Sequence, residues 1–473
     1  MPRGTLVYRF GDFELHPHGG RLLRAGQRVR LGSIPIAILG RLIAAAPHVV
    51  EKDAITQAGW GGIASLTSLE KAISRLRRAL EDADGSRYVE TVPFRGYRFI
   101  ARVDEVDSVA AAPHQTRDRP FRRFEDARRE LATLKRQSIV IARTGFEDTV
   151  ASAPGYPPAH AALAMACAFA YEATRFDVAC DLAALRQAVH HARRAIALDP
   201  DCADGWCALG FALHLQGETD EAVAAARTGV ALDGGSWRHW VRLAFVSWGD
   251  ARLEAALAAL RLRPQLALAH WLRATVYIAR GAFDSALSEL REGCAAQDAQ
   301  PIDDATYPGV GLHLLRGHVL VAQGRLDEAI RDFEAELSYA ERGQMYSQEC
   351  TANTWYALGA LRLRQRKHRE AEAAFHQALA IAPRHLVSMA ALGQSLPELN
   401  ASDPRAMEAV VASAVALARG NRYRDAAQIY REGLAMARIP GWGWILPVEP
   451  ILQPLEREDV WAPVLETVRQ RAT

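Results

Sequence analysis

Cysteine is scarce in this chain, six in 473 residues, and no two of them form a Cys-x2-Cys pair. Cys167 lies in Ala-Met-Ala-Cys-Ala-Phe, where a thiol reads as a small buried hydrophobe. Neither a disulfide framework nor a zinc site is expected. Long apolar runs are missing too. The longest, Ala161 to Tyr171, falls well short of the ~18 residues of a membrane span. The opening Met-Pro-Arg-Gly-Thr-Leu-Val-Tyr-Arg-Phe has no apolar core of secretory type, so a reduced, cytoplasmic protein without a membrane partner is expected. The 15 histidines have no Glu or Cys at ligand spacing, and His190-His191 would diverge by about 100° on a helix, which argues against a metal. A Gly-x4-Gly-Lys-Ser/Thr loop, a Gly-x-Ser-x-Gly elbow and a Cys/His nucleophile pattern are all absent. The expectation is a protein that is no enzyme and takes no cofactor.

What is present is an ordinary globular composition, 49% hydrophobic and 24% charged, with room for about three domains. The net charge of +2 hides an asymmetry. Residues 1–105 carry 16 Lys/Arg against 11 Asp/Glu, and the remainder carries 41 against 44. A basic head on a mildly acidic body suits a module that binds a polyanion.

Short β-rich runs (Val7-Tyr8-Arg9-Phe10, Phe13-Glu14-Leu15, Arg21-Leu22-Leu23-Arg24, Val29-Arg30-Leu31) alternate with glycine turns and predict an antiparallel meander. Ser33 is expected to cap a helix through about Ala45, and Lys52 to Ala58 to form a second. In a third, from about Thr67 to Glu81, Leu69, Ile73, Leu76 and Leu80 define the buried stripe. At about 100° per residue, Thr67, Lys71, Ser74, Arg75 and Arg78 fall near the opposite pole, with Ser68 beside them. A helix with that face fits a DNA major groove, where Arg and Lys reach guanine edges or phosphates and hydroxyls reach either. Tyr88 to Val92 and Tyr97 to Ala101, joined by Pro93-Phe94-Arg95-Gly96, form a hairpin whose turn presents Arg95. Such an arginine can enter the narrow, negative minor groove.

These residues resemble the OmpR-type winged-helix domain, the effector domain of response regulators and of ToxR-, CadC- and HilA-like activators. The likeness runs over residues 7–103 and is most specific in Thr91-Val92-Pro93-Phe94-Arg95-Gly96-Tyr97-Arg98-Phe99. It implies a four-stranded N-terminal sheet, three helices and a C-terminal hairpin. The family's DNA contacts carry over to Lys71, Ser74, Arg75 and Arg78 on the helix and to Thr91, Arg95 and Arg98 around the wing. The segment Gly59 to Leu66 corresponds to a loop that touches RNA polymerase. An acidic receiver domain is not expected ahead of the module, which leaves control by phosphorelay in doubt.

Residues 106–136 read as a linker, with Arg119, Arg122, Arg123, Arg128 and Arg129 on a solvated helix face beside Glu125, Asp126 and Glu130. Beyond it, Trp355, Leu358, Gly359, Ala371, Phe375 and Pro383 reproduce the tetratricopeptide spacing, with an earlier copy from Trp206 to Ala226. Anchor alanines at 142, 188, 222, 256, 286, 329, 371 and 426 predict about eight repeats in residues 137–473. The proline-rich tail is expected to cap the end of the array. The fold class expected is thus an α+β winged helix-turn-helix domain followed by an all-α tetratricopeptide solenoid. The expected function is transcription regulation, activation more than repression. Expected partners are double-stranded DNA, RNA polymerase, a second copy on DNA and a protein, peptide or metabolite in the groove of the repeats. The competing reading is an interaction scaffold whose winged helix no longer binds DNA.

Overall fold

The computed structural model describes residues 6–16, 21–29, 31–60, 66–93, 95–107, 119–175, 177, 180–300, 307–397, 405–437, 441 and 443–473. Strands β1 (Leu6–Phe10), β2 (Phe13–His16), β3 (Arg21–Arg24) and β4 (Gln27–Val29) form the meander. At the β1–β2 turn Gly11 has φ +52°, and a Cβ there would sit 2.5 Å from the Tyr88 hydroxyl. Then come α1 (Ser33–Ala44), β5 (Val50–Glu51), α2 (Lys52–Trp60), α3 (Leu66–Ala79), β6 (Val89–Val92), β7 (Gly96–Phe99) and β8 (Asp104–Asp107). One sheet has the order β4-β3-β2-β1-β8 and the other β5-β7-β6, all neighbours antiparallel. Phe10, Phe13, Tyr88 and Phe99 meet between the sheets, with Phe10 and Phe99 edge to face at 5.1 Å.

Two local expectations change. Gly32, not Ser33, occupies the cap of α1, without a side-chain bond, and Ser33 is already helical. Pro35 falls in the opening turn, where its missing N–H has no intrahelical partner to lose. The domain also runs past residue 105: β8 pairs with β1 from Arg9↔Asp104 to Leu6↔Asp107. Its sequence, Asp-Glu-Val-Asp, has little strand propensity, so the open edge of β1 decides its conformation.

The helical array begins earlier than residue 137. Within the expected linker, α4 (Arg119–Ala132) packs on α5 (Arg136–Ser152), with Phe124 and Phe146 edge to face at 5.6 Å. Arg123 pairs with Asp148 at 2.7 Å and Arg128 with Glu125 at 3.3 Å, so this face is a solvated ion-pair surface. The rest of the expected tether, residues 108–118, lies outside the described residues.

Further pairs follow: α6 (Pro157–Thr174) with α7 (Leu182–Leu198), α8 (Ala203–Leu215) with α9 (Thr219–Leu232), and α10 (Trp237–Val246) with α11 (Gly249–Leu262). Next are α12 (Ala267–Ala279) with α13 (Phe283–Asp298), α14 (Leu312–Ala322) with α15 (Leu326–Leu337), and α16 (Ser347–Arg364) with α17 (His368–Ile381). A short α18 (Leu386–Ala391) precedes α19 (Ala406–Arg419) and α20 (Tyr423–Met436), and α21 (Glu458–Arg471) ends the chain. All eight anchor alanines lie on the second helix of a pair, and every one is completely buried. The motif glycine is a matter of space. A Cβ on Gly359 would come within 2.5 Å of the Phe375 ring, and one on Gly317 within 2.4 Å of Phe333. Trp206 and Trp240 donate their indole N–H to the carbonyls of Pro200 and Gly234, at 2.8 and 2.9 Å, so Gly234 takes the place of the repeat-ending proline.

The coil of helices closes on itself. Tyr307 N–H donates to Ala132 O and Met345 N–H to Leu134 O, both at 2.7 Å, which ties the first pair to the sixth and seventh. The tail does more than cap the end. Trp461 of α21 buries against Tyr430 of α20 at 6.0 Å, but residues 443–450 cross the inner face of the array. There Trp444 meets Trp271 of α12 edge to face at 5.8 Å, and Tyr356 of α16 donates to Glu449. The last residues return to α12, where Arg280 Nε donates to Ala472 O at 2.8 Å. The tail's described hydrogen bonds thus reach up to 192 residues back along the chain.

Candidate nucleic-acid interface

Helix α3 has one purely apolar side. Leu69, Ile73 and Leu76 are no more than 2% exposed, and they press on the core of the N-terminal domain. Lys71, Ser74, Arg75 and Arg78 are exposed on the opposite side. Thr67 and Ser68 belong to the first turn of α3, and their side chains lie outside the described residues. Among the described residues, Lys71, Arg75 and Arg78 make no ion pair, so their charge is not neutralised by the protein. Arg75 donates to Leu232 O of the array at 3.3 Å. A long, exposed hydrogen bond of this kind contributes about 1–3 kcal/mol, and Arg75 remains exposed beside it.

The wing is held to this helix by two residues that the sequence pattern does not mark. Arg77, on the flank of α3, donates through Nε and a terminal nitrogen to Val89 O at 2.9 and 2.7 Å, and to the Thr91 hydroxyl at 2.8 Å. Asp82, 1% exposed, accepts from the backbone N–H groups of Arg87, Tyr88 and Val89, each at 2.8 Å. These bonds fix where β6 leaves the helix and hence where the turn sits. No signal in one sequence separates Arg77 from its neighbour Arg78; only the fold does.

At the turn, Arg95 is exposed and its N–H donates to Val92 O at 3.1 Å. A Cβ on Gly96 would stand 2.0 Å from Val50 O, so only glycine lets β7 lie against β5. Thr91 is exposed with its hydroxyl accepting from Arg77. Arg98 is held across the hairpin by Glu90 at 2.6 Å, half exposed, so its charge is partly spent within the wing. The surface therefore assembles Lys71, Ser74, Arg75 and Arg78 on α3 with Arg95 on the turn. Of the loop expected to meet RNA polymerase, residues 61–65 lie outside the described residues.

Residues 26–99 match the family model described as "Transcriptional regulatory protein, C terminal", and residues 174–236 and 311–384 match two models described as "Tetratricopeptide repeat". Among curated proteins, "Transcriptional regulator HilA" of Salmonella typhimurium is 33% identical over 114 residues, 24% of this chain and 20% of that protein. "Cholera toxin transcriptional activator" of Vibrio cholerae is 39% identical over 87 residues, 18% of this chain and 30% of that protein. The chain thus spans less than a third of the length of either relative. A loose structural likeness to the human IFIT1 dimer with PPP-AAAA covers 78% of this chain and 81% of that one, with TM-score 0.46 and 17% identity. Among the described residues no helix is long and apolar enough to cross a membrane, and no three His, Cys, Asp or Glu side chains converge as a metal site. The chain joins an OmpR-type domain of transcriptional regulators, at its N-terminal end, to an array of tetratricopeptide repeats.

Proposed function

We propose that this chain is a sequence-specific DNA-binding transcriptional regulator whose helical array receives a signal or a partner. The carrying observation is the unneutralised cationic and hydroxyl face of α3, opposite a fully buried stripe and beside the Arg95 turn. In this reading α3 enters the major groove, with Arg75 and Arg78 on base edges and Lys71 and Ser74 on phosphates. Thr67, Ser68, Thr91 and Arg98 add backbone contacts, and Arg95 enters the adjacent minor groove. One module of this size buries little surface, so a dimer on repeated half-sites is the working form. Activation through RNA polymerase and a cytoplasmic location complete the reading.

The test is operator affinity measured by fluorescence anisotropy at matched salt. Arg75→Ala and Arg95→Ala are each expected to weaken specific binding about tenfold or more, with far-UV spectra and melting unchanged. Lys71→Ala is expected to weaken binding evenly across sequences and to reduce the slope of log K against log salt by about one. Near-wild-type affinity in both arginine variants would favour an interaction scaffold instead.

A further inference from the structure

Among the described residues, the inner face of the array is lined by the first helices of the pairs together with the short α18. Here the tail already lies across it. Gly443 to Pro450 roof the space between α6, α8, α12, α14, α16 and α19 and leave a cavity of about 490 Å³. That volume suits one small molecule.

The walls combine aromatic surface with too many acceptors. Phe245, Trp271 and Trp444 supply flat apolar faces. Four carboxyl groups, those of Glu172, Glu349, Glu408 and Glu449, meet two guanidinium groups. Arg175 is shared between Glu172 and Glu349, at 3.5 and 2.7 Å, and Arg405 is held by both oxygens of Glu408 at 2.7 Å. Glu449, 4% exposed, accepts from the Tyr356 hydroxyl and from the N–H groups of Ile451 and Leu452, and no cationic side chain pairs with it among the described residues. Burial pushes its carboxyl up to about 7, against the pull of those donors. The histidines add acceptors, not charge. His318 spends its Nδ1 proton on Leu314 O at 2.9 Å, which leaves Nε2 with a lone pair. Nδ1 of His214, 9% exposed beside the Phe245 ring, is buried with no partner among the described residues. Burial and the nearby Arg252 charge hold that imidazole down at about 4, so it is neutral.

Among the described residues, a buried polar atom without a partner, a carboxyl without a cation and aromatic faces in the same lining are complementary to a donor that carries positive charge on an apolar body. We propose that the cavity is a binding site for a small amphipathic organic cation, a protonated amine on an aromatic or branched apolar body. The ammonium is matched to Glu449 and the apolar body to the Phe245, Trp271 and Trp444 surfaces. The inference rests on the reading of the array as a signal-receiving arm, and it names the chemistry of that signal. The tail is then part of the receptor, because Glu449 and Trp444 belong to it.

The experiment uses the full-length protein and three probes of one shape: phenethylamine, its neutral counterpart phenethyl alcohol, and the anionic hydrocinnamate. Calorimetry and quenching of tryptophan fluorescence read binding, and melting reads stabilisation. Phenethylamine is expected to bind and raise Tm, with the alcohol and the acid weaker by about tenfold or more. Glu449→Gln, nearly isosteric, is expected to remove that preference for the cation. His214→Phe, which keeps the edge contact with Phe245, is expected to weaken the amine severalfold and serves if the first variant does not fold. Equal binding of all three probes, preference for the acid, no binding of the amine, or unchanged selectivity in Glu449→Gln would each overturn the proposal. Binding of operator DNA is measured in the same preparations with Arg75→Ala as control. Intact DNA binding without amine binding removes this inference alone, and amine binding without DNA binding removes the regulatory reading alone.

Discussion

Asp82 and Arg77 together set the distance between α3 and the turn that carries Arg95. Replacing Asp82 with Ala leaves three backbone N–H groups in a nearly sealed site without an acceptor, at a cost of about 3 kcal/mol or more. The expected result is a lower urea midpoint and weakened DNA binding, although Asp82 touches no DNA in this account. At the same scale, His239 reports on the array. Burial works against its charge, but the hydrogen bond and charge of Asp204, with the charge of Asp233, outweigh it and push the imidazole up to about 9. Its folded value lies above the ordinary ~6.5, so its contribution to stability is complete below that pH and is lost as pH rises through about 9. The Tm gap between wild type and His239→Gln should be widest near pH 6 and close above about pH 9.5; a gap that stays constant would refute the assignment.

Elements differ in how legible they are. The stripe Leu69, Ile73, Leu76, Leu80 follows local spacing, so α3 and its exposed face can be read directly, and so can the eight buried alanines of the second helices. The bonds from Arg77 to Val89 and Thr91 cannot, because they span 12 and 14 residues and depend on where the wing lands. Strand β8 is hidden for a related reason: its charged residues gain strand geometry from the free edge of β1. Arg98 looks like its neighbours in the sequence, and only the hairpin register Glu90↔Arg98 brings it to an internal partner. The repeats carry their own check. Gly359→Ala places a methyl group 2.5 Å from the Phe375 ring and should cost about 1–3 kcal/mol through overpacking, read as a lower Tm. A neutral or stabilising result would contradict the close approach of α16 and α17.

For the whole molecule, the tail is the least legible part. Its prolines and glycines mark a break in the repeat period, but nothing local reveals that Tyr356, Trp271 and Arg280 are its partners, 93 to 192 residues before it. Because it roofs the inner face, removal of residues 438–473 should expose apolar surface, raise binding of a hydrophobic dye and lower Tm by several degrees. An unchanged Tm would mean that the array stands without it. The charge distribution also acts at this scale: a basic head beside a mildly acidic body favours approach of a polyanion to the head over the array. The most direct test of the account is selection of bound sequences from a random duplex library by the full-length protein, with Arg75→Ala and Arg95→Ala run in parallel. A single enriched motif, present as paired half-sites and lost in both variants, is the predicted result. No enrichment by the wild-type protein, or the same motif from both variants, would contradict it.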